Sequence, residues 1–164
     1  MKILVCGLPG SGKTWLAERL IKNIKNCAWY NADIVRKFSN DWDFSAEGRI
    51  RQANRMKTFA DFERSNGRWV ICDFVAPTER VREAFAPDHV IWMDTIKEGR
   101  IVSSKLSELK NIKNLPFDAI LLSQSKEFKD TNKVFERPSK IDTRITHFIS
   151  DDKIKKLSEE IINV

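Results

Sequence analysis

The chain is poor in the residues that build metal and disulfide frameworks. Its 164 residues hold three cysteines and two histidines. Cys6, Cys27 and Cys72 lie in apolar runs and form no C-x-x-C pair, so they read as reduced core thiols of a cytoplasmic protein, not a disulfide frame or a zinc site. Two histidines argue against a His-rich metal site. No stretch approaches the ~20 apolar residues of a membrane span. Lys2 is followed by four apolar residues before Gly7, so no secretory signal is expected. Internal repeats and low-complexity tracts are missing too. Although the formal charge is +6, no Lys/Arg block of five or more occurs. The basic residues are spread out, which suits a solvated surface or attraction of polyanionic small molecules better than nucleic acid.

What is present is a hydrophobic fraction of 41% and a charged fraction of 32%. These describe one soluble globular domain, residues 1–164, long enough to bury a core without staples. Directly behind the apolar run Ile3-Leu4-Val5-Cys6 comes Gly7-Leu8-Pro9-Gly10-Ser11-Gly12-Lys13-Thr14. This is the G-x-x-x-x-G-K-[ST] pattern in its required context, strand before and helix after. Glycines let the backbone wrap phosphate oxygens so that successive N–H groups point inward. The helix that follows aims its positive end at the same phosphates. Lys13 can reach the β- and γ-phosphates of ATP, and the Thr14 hydroxyl can ligate Mg²⁺.

Apolar runs alternate with amphipathic stretches along the chain, which predicts an α/β fold, a three-layer sandwich around a mainly parallel five-stranded sheet. Strands are expected at Lys2–Cys6, Cys27–Tyr30, Trp69–Asp73, His89–Met93 and Thr143–Ile149. Helices are expected at Lys13–Ile24, Ala46–Ser65, Pro77–Phe85 and Asp151–Ile162, the last capped by Asp151 or Asp152. Within Ile101–Phe128, the run Phe117–Leu122 fits either a strand or a buried helical turn.

Ligands bind at the carboxyl ends of the strands in such sheets. Asp33 follows the second strand, Asp73 ends the third and Asp94 follows the fourth, so all three are expected on the ligand side. Phosphoryl transfer needs Mg²⁺, a positioned hydroxyl and positive charge on the moving group. Asp73 has the placement of a metal-associated acid beside Thr14, or of a cap. Asp33 either orients or deprotonates an acceptor hydroxyl, or caps a helix starting near Ile34. Asp94 reads as a strand terminator. Arg36, Arg49, Arg51 and Arg55 offer planar grips on phosphate or sulfate, but 49, 51 and 55 do not share one helix face, so at least one is expected in solvent. Phe44, within Asp41-Trp42-Asp43-Phe44-Ser45, is either a hydrophobic plug or a stacking platform.

Beyond the loop, four further blocks together resemble the motifs of one kinase family. Asn31-Ala32-Asp33-Ile34-Val35-Arg36 is similar to the family's D-G-D-x-V-R. Phe44-Ser45-Ala46-Glu47-Gly48-Arg49-Ile50-Arg51-Gln52 is similar to F-S-x-x-x-R-x-x-N, and Phe74-Val75-Ala76-Pro77 to F-I-S-P. Phe128 through Phe135-Glu136-Arg137-Pro138 is similar to F-T-G-x-x-x-x-Y-E-x-P. That family is adenylylsulfate kinase, a branch of the P-loop kinases, and the resemblance implies a kinase that uses ATP and Mg²⁺ to phosphorylate the 3′-hydroxyl of adenosine 5′-phosphosulfate, often as a homodimer. It implies that Asp33 is the catalytic acid near the metal, acting with Lys13 and Thr14 of the loop, while Asp73 joins the metal-associated residues on its strand-end placement alone. Arg36 and Arg49 would hold the phosphosulfate, with Gln52, Val75, Ala76 and Lys126 also on the substrate side. Phe44 and Phe128 would sandwich the adenine. Residues 96–138 would form a lid. The pattern departs from the family at Asn31, Ala32 and Ala76, at Asp73, where the family usually has a small residue, and in Ile101–Ser125. Two other readings fit the same residues: a kinase of another small-molecule or polynucleotide hydroxyl, and a nucleotide-binding module without transfer.

Overall fold

Residues Ile3 to Cys6 are apolar on both faces, as a central parallel strand requires. In the computed structural model, which describes residues 1–99 and 131–164, they lie in strand β1, Lys2–Cys6. The other elements are α1 (Lys13–Asn23), β2 (Cys27–Asn31), α2 (Ala32–Ser39), α3 (Ala46–Ser65), β3 (Trp69–Asp73) and α4 (Glu79–Phe85). They continue with β4 (His89–Met93), α5 (Thr131–Val134), β5 (Thr143–Ile145) and α6 (Asp151–Ile162). Every strand pair is parallel and the order is β2-β3-β1-β4-β5. The carboxyl ends therefore gather on one edge, which is where the loops carrying the candidate acids emerge.

Side chains alternate across β1, and each face meets its own layer of helices. Ile3 and Val5 join Leu16 and Leu20 of α1 and Ile154 and Ile161 of α6 in one buried cluster. Leu4 and Cys6 join Ala53 and Met56 of α3 and Phe85 of α4 in the other. Both cores are packed to exclusion of water, with Ile3, Leu4, Leu16, Met56 and Phe85 fully buried. Burial also pushes the Cys6 thiol up to about 12 and the Cys27 thiol to about 11. Such thiols stay protonated and inert near neutrality.

Several boundaries differ from the sequence-based expectation. The fourth helix starts at Glu79 because the Thr78 hydroxyl accepts from the Val81 N–H, leaving Pro77 outside. Ser150, not Asp151 or Asp152, caps α6, accepting from the Lys153 N–H. The two acids then fall in its first turn, where the helix dipole favours them. The last strand stops at Ile145 instead of Ile149. The second runs on to Asn31, whose side chain caps α2 by accepting from the N–H groups of Asp33 and Ile34. Asp33 is therefore not a cap. Phe117–Leu122 and Ile101–Ser125 lie outside the described residues. Among those described, no helix is long and apolar enough to cross a membrane.

Candidate active site

The phosphate loop is shaped by contacts that only glycine permits at two points. A Cβ on Gly7 would lie 2.6 Å from the Met93 carbonyl oxygen, and one on Gly12 would lie 2.7 Å from the Phe148 ring. Gly12 also has φ 94° and serves as the N-cap of α1, so the chain turns directly from loop into helix. The Thr95 hydroxyl donates to the Ser11 carbonyl at 2.6 Å, and the Ser11 N–H donates to the Leu8 carbonyl at 3.1 Å, tying the loop from both sides. The Ser11 hydroxyl oxygen is buried with no hydrogen-bond partner among the described residues. The Lys13 ammonium lies along the loop and donates to the Leu8 carbonyl at 2.9 Å.

At the end of β3, Asp73 is 2% exposed. Its carboxylate accepts from the Thr14 hydroxyl at 2.8 Å, the Asn31 amide at 2.9 Å and the Trp29 indole N–H at 2.7 Å. Burial raises its pKa against the pull of these donors and of Lys13. The Asn31 amide also reaches the Thr14 hydroxyl at 3.2 Å. A threonine hydroxyl beside one carboxylate is the kind of sparse oxygen set that suits Mg²⁺. That ion keeps several waters and takes its other ligands from nucleotide phosphates. The donors present therefore fit Mg²⁺ accompanying ATP.

Across the cavity, Asp33 occupies the first turn of α2, where the helix dipole stabilises its charge. Arg36, three residues on, is buried and donates to the carbonyls of Asp41 (2.9 Å) and Asp43 (3.1 Å). Its guanidinium lies 4.3 Å from the centre of the Phe44 ring. Desolvation lowers the Arg36 pKa to about 10, which leaves it charged near neutrality. Arg49 donates to the Phe44 carbonyl at 2.8 Å and to the Thr131 hydroxyl at 3.1 Å. Asp41 organises this side. It accepts from Arg51 at 2.7 and 2.9 Å and from Arg55 at 2.8 Å. Those hydrogen bonds, those from Arg51 foremost, hold its carboxyl well below the usual range even though partial burial acts the other way. Arg51 is solvent-exposed. Gln52 donates to the Ala32 carbonyl at 3.0 Å and accepts from Arg55.

One cavity of about 380 Å³ joins the two sides. Its walls include Pro9, Gly10, Gly12, Lys13 and Thr14 of the loop. Asp33, Arg36, Phe44, Arg49, Gln52, Asp73, Val75 and Ala76 line it too. Gly7, Leu8 and Ser11 do not face this cavity. Leu8 lines a separate recess of about 290 Å³ with Trp92 and Asp94. Lys126 and Phe128 fall outside the described residues.

A family model described as adenylylsulphate kinase matches residues 1–146. The chain belongs to the adenylylsulphate kinase family. A protein of Aeropyrum pernix named "Probable adenylyl-sulfate kinase" is 33% identical over 89 residues, 49% of this chain and 46% of that protein, so the match spans less than half of the relative's length. Among solved structures, the Mycobacterium tuberculosis APS kinase in complex with AMPPNP and APS superposes with a TM-score of 0.65 at 21% identity. It covers 99% of this chain and 95% of that one. A sugar kinase from Janibacter sp. HTCC2649 gives 0.65 at 14% identity, with 99% and 94% covered. At these identities the superpositions establish a shared fold.

Within this adenylylsulphate kinase family member, the structure also brings in residues that sequence reading did not single out as site residues. Trp15 and Pro77 line the cavity, and Trp29 grips Asp73. Trp29 carried one usable signal, since it stands two residues before Asn31 on the same strand and so points to the same face. Thr131 gave none, being 82 residues from its partner Arg49. Ala76, where the family has serine, is a non-glycine residue at φ 44° whose carbonyl accepts from buried Arg82 at 2.6 Å.

Proposed function

We propose that this chain transfers the γ-phosphoryl of ATP, with Mg²⁺, to the 3′-hydroxyl of adenosine 5′-phosphosulfate, in the cytoplasm. The observation that carries this reading is the single cavity in which the phosphate loop and the Thr14–Asp73 pair face Asp33, Arg36, Phe44 and Arg49. In this proposal the loop N–H groups and α1 cradle the donor phosphates, and Lys13 moves from the Leu8 carbonyl to the β/γ-oxygens. Thr14 and Asp73 would hold Mg²⁺, with Asp33 close by. The metal supplies charge neutralisation on those oxygens when bound. Asp33 orients the acceptor hydroxyl and takes its proton as the new O–P bond forms and the bond from the γ-phosphorus to the β–γ bridging oxygen breaks, releasing ADP. Arg36 and Arg49 fix the phosphosulfate while Phe44 packs against the base. Gln52, Val75 and Ala76 shape the acceptor wall, and Lys126 and Phe128, outside the described residues, are assigned to the same substrate. Positioning and fixed charge supply most of the acceleration.

The test is ADP release in a coupled assay with adenylyl sulfate against nucleosides, nucleotides, sugars, shikimate and 5′-hydroxyl oligonucleotides. Stimulation by adenylyl sulfate above all other acceptors is expected. Turnover on another acceptor with no response to adenylyl sulfate overturns the substrate assignment.

A further inference from the structure

We propose that Trp29 and Asn31 form a neutral clamp that positions the Asp73 carboxylate for the metal–nucleotide. This rests on the reading of the Thr14–Asp73 pair as the Mg²⁺ site and goes beyond it by assigning positioning residues. The clamp follows from strand register. β2 pairs with β3 so that Asn31 stands opposite Asp73 and Trp29 opposite Ile71, one pleat back on the same face. The Asn31 amide meets one carboxylate oxygen and the Trp29 indole meets the other, at 2.9 and 2.7 Å.

The amide is not free to turn. The Asn31 carbonyl oxygen accepts from the N–H groups of Asp33 and Ile34 at 3.0 and 3.1 Å, so its NH₂ must face Asp73. An indole N–H is a donor only. With both oxygens engaged, the carboxylate plane is set and one oxygen is directed at the Thr14 hydroxyl, 2.8 Å away. Neutrality matters as much as direction. A lysine or arginine in the clamp would cancel the charge that draws a divalent cation, whereas an amide and an indole orient the carboxylate and leave its charge available. The same Asn31 side chain both starts α2, which carries Asp33, and aims Asp73, so the two acids of the site are set by one residue.

The experiment is calorimetric ATP binding with Mg²⁺ and with EDTA, for the wild type, Trp29→Phe and Asn31→Ser. Phenylalanine keeps the ring and drops the N–H. Serine keeps the helix cap and drops the amide donor. Removing hydrogen-bond partners of metal-holding groups typically costs about 10–100-fold in metal affinity, and water-mediated Mg²⁺ places the expected loss near the low end. The affinity gained from Mg²⁺ should fall about 10-fold in each variant, while affinity in EDTA stays within about twofold. An unchanged Mg²⁺ gain in both variants overturns the clamp, as does an equal loss of affinity with and without Mg²⁺. Unfolding midpoints in EDTA identify a misfolded variant, and the other variant then decides. A wild type whose ATP affinity ignores Mg²⁺ overturns the clamp together with the metal assignment. If the variants lose the Mg²⁺ gain while the wild type ignores adenylyl sulfate, the clamp stands and only the acceptor reading falls.

Discussion

The two sides of the cavity, proposed above as donor and acceptor sides, are built by different means. The loop from Gly7 to Thr14 is shaped by backbone: positive-φ glycines, a helix N-terminus and carbonyls facing inward contacts. The acceptor side, from Asp33 to Gln52, is shaped by side chains that satisfy one another. There Arg36 and Arg49 spend donors on carbonyls of the segment they flank, and Asp41 gathers Arg51 and Arg55. A backbone cradle tolerates sequence drift everywhere except at its glycines, Lys and Thr. A side-chain lattice changes with each substitution. Under the proposed assignment, acceptor choice is the property that can diverge while ATP use is kept.

The largest effect that sharpens this contrast is at Lys13. Lys13→Met should lower kcat by about 10³-fold while leaving acceptor affinity within about twofold, read from steady-state kinetics and acceptor binding. On the other side, Arg36→Lys keeps the charge but loses the planar guanidinium, whose Nη1 donates to both the Asp41 and the Asp43 carbonyl while its face lies against Phe44. The acceptor KM should rise about 10-fold with ATP affinity unchanged. A matching loss of ATP affinity would show that the two sides are not separable.

Asp41→Asn should loosen the acceptor side without touching the loop, costing about 2 kcal/mol at neutral pH by urea unfolding. The sign of its pH dependence follows from the depressed folded pKa. The Asp41 contribution is present above the ordinary 3.8 and is lost as pH falls below it. Wild type should therefore lose stability on acidification, and the variant should show a flatter profile. The smallest effect is at the shared wall. Ala76 stands at φ 44°, and Ala76→Gly should stabilise by about 0.5 kcal/mol, relief of left-handed strain outweighing glycine's entropy. Thermal midpoints would detect it.

How much of this was legible in the sequence follows the same division. The loop is contiguous, so its strand, turn and helix could be read together. The apolar runs of β1, β3 and β4 also marked their own bounds. Asp33 and Asp73 were legible at the carboxyl edge because strand ends fix them there, whereas Arg36, Phe44 and Arg49 reach the same cavity from α2, the following loop and α3. The Asp41 lattice was not visible, since its partners lie 10 and 14 residues away and meet only when α2 folds back on α3. Nor was the bond from Trp29 to Asp73, 44 residues apart, which depends on the pairing of β2 with β3. The cap of α6 falls one or two residues before the expected Asp151 or Asp152, because Ser150, Asp151 and Asp152 can all cap and only the geometry of the turn chooses between them.

The most direct test of one cavity serving both nucleotides is product analysis after incubation with γ-labelled ATP, Mg²⁺ and adenylyl sulfate. The position of the new phosphate would be assigned by phosphorus NMR. The account predicts label on the 3′-oxygen of adenylyl sulfate, and its loss in both Lys13→Met and Asp33→Asn. Label only in inorganic phosphate, or an unchanged yield from Asp33→Asn, would contradict it.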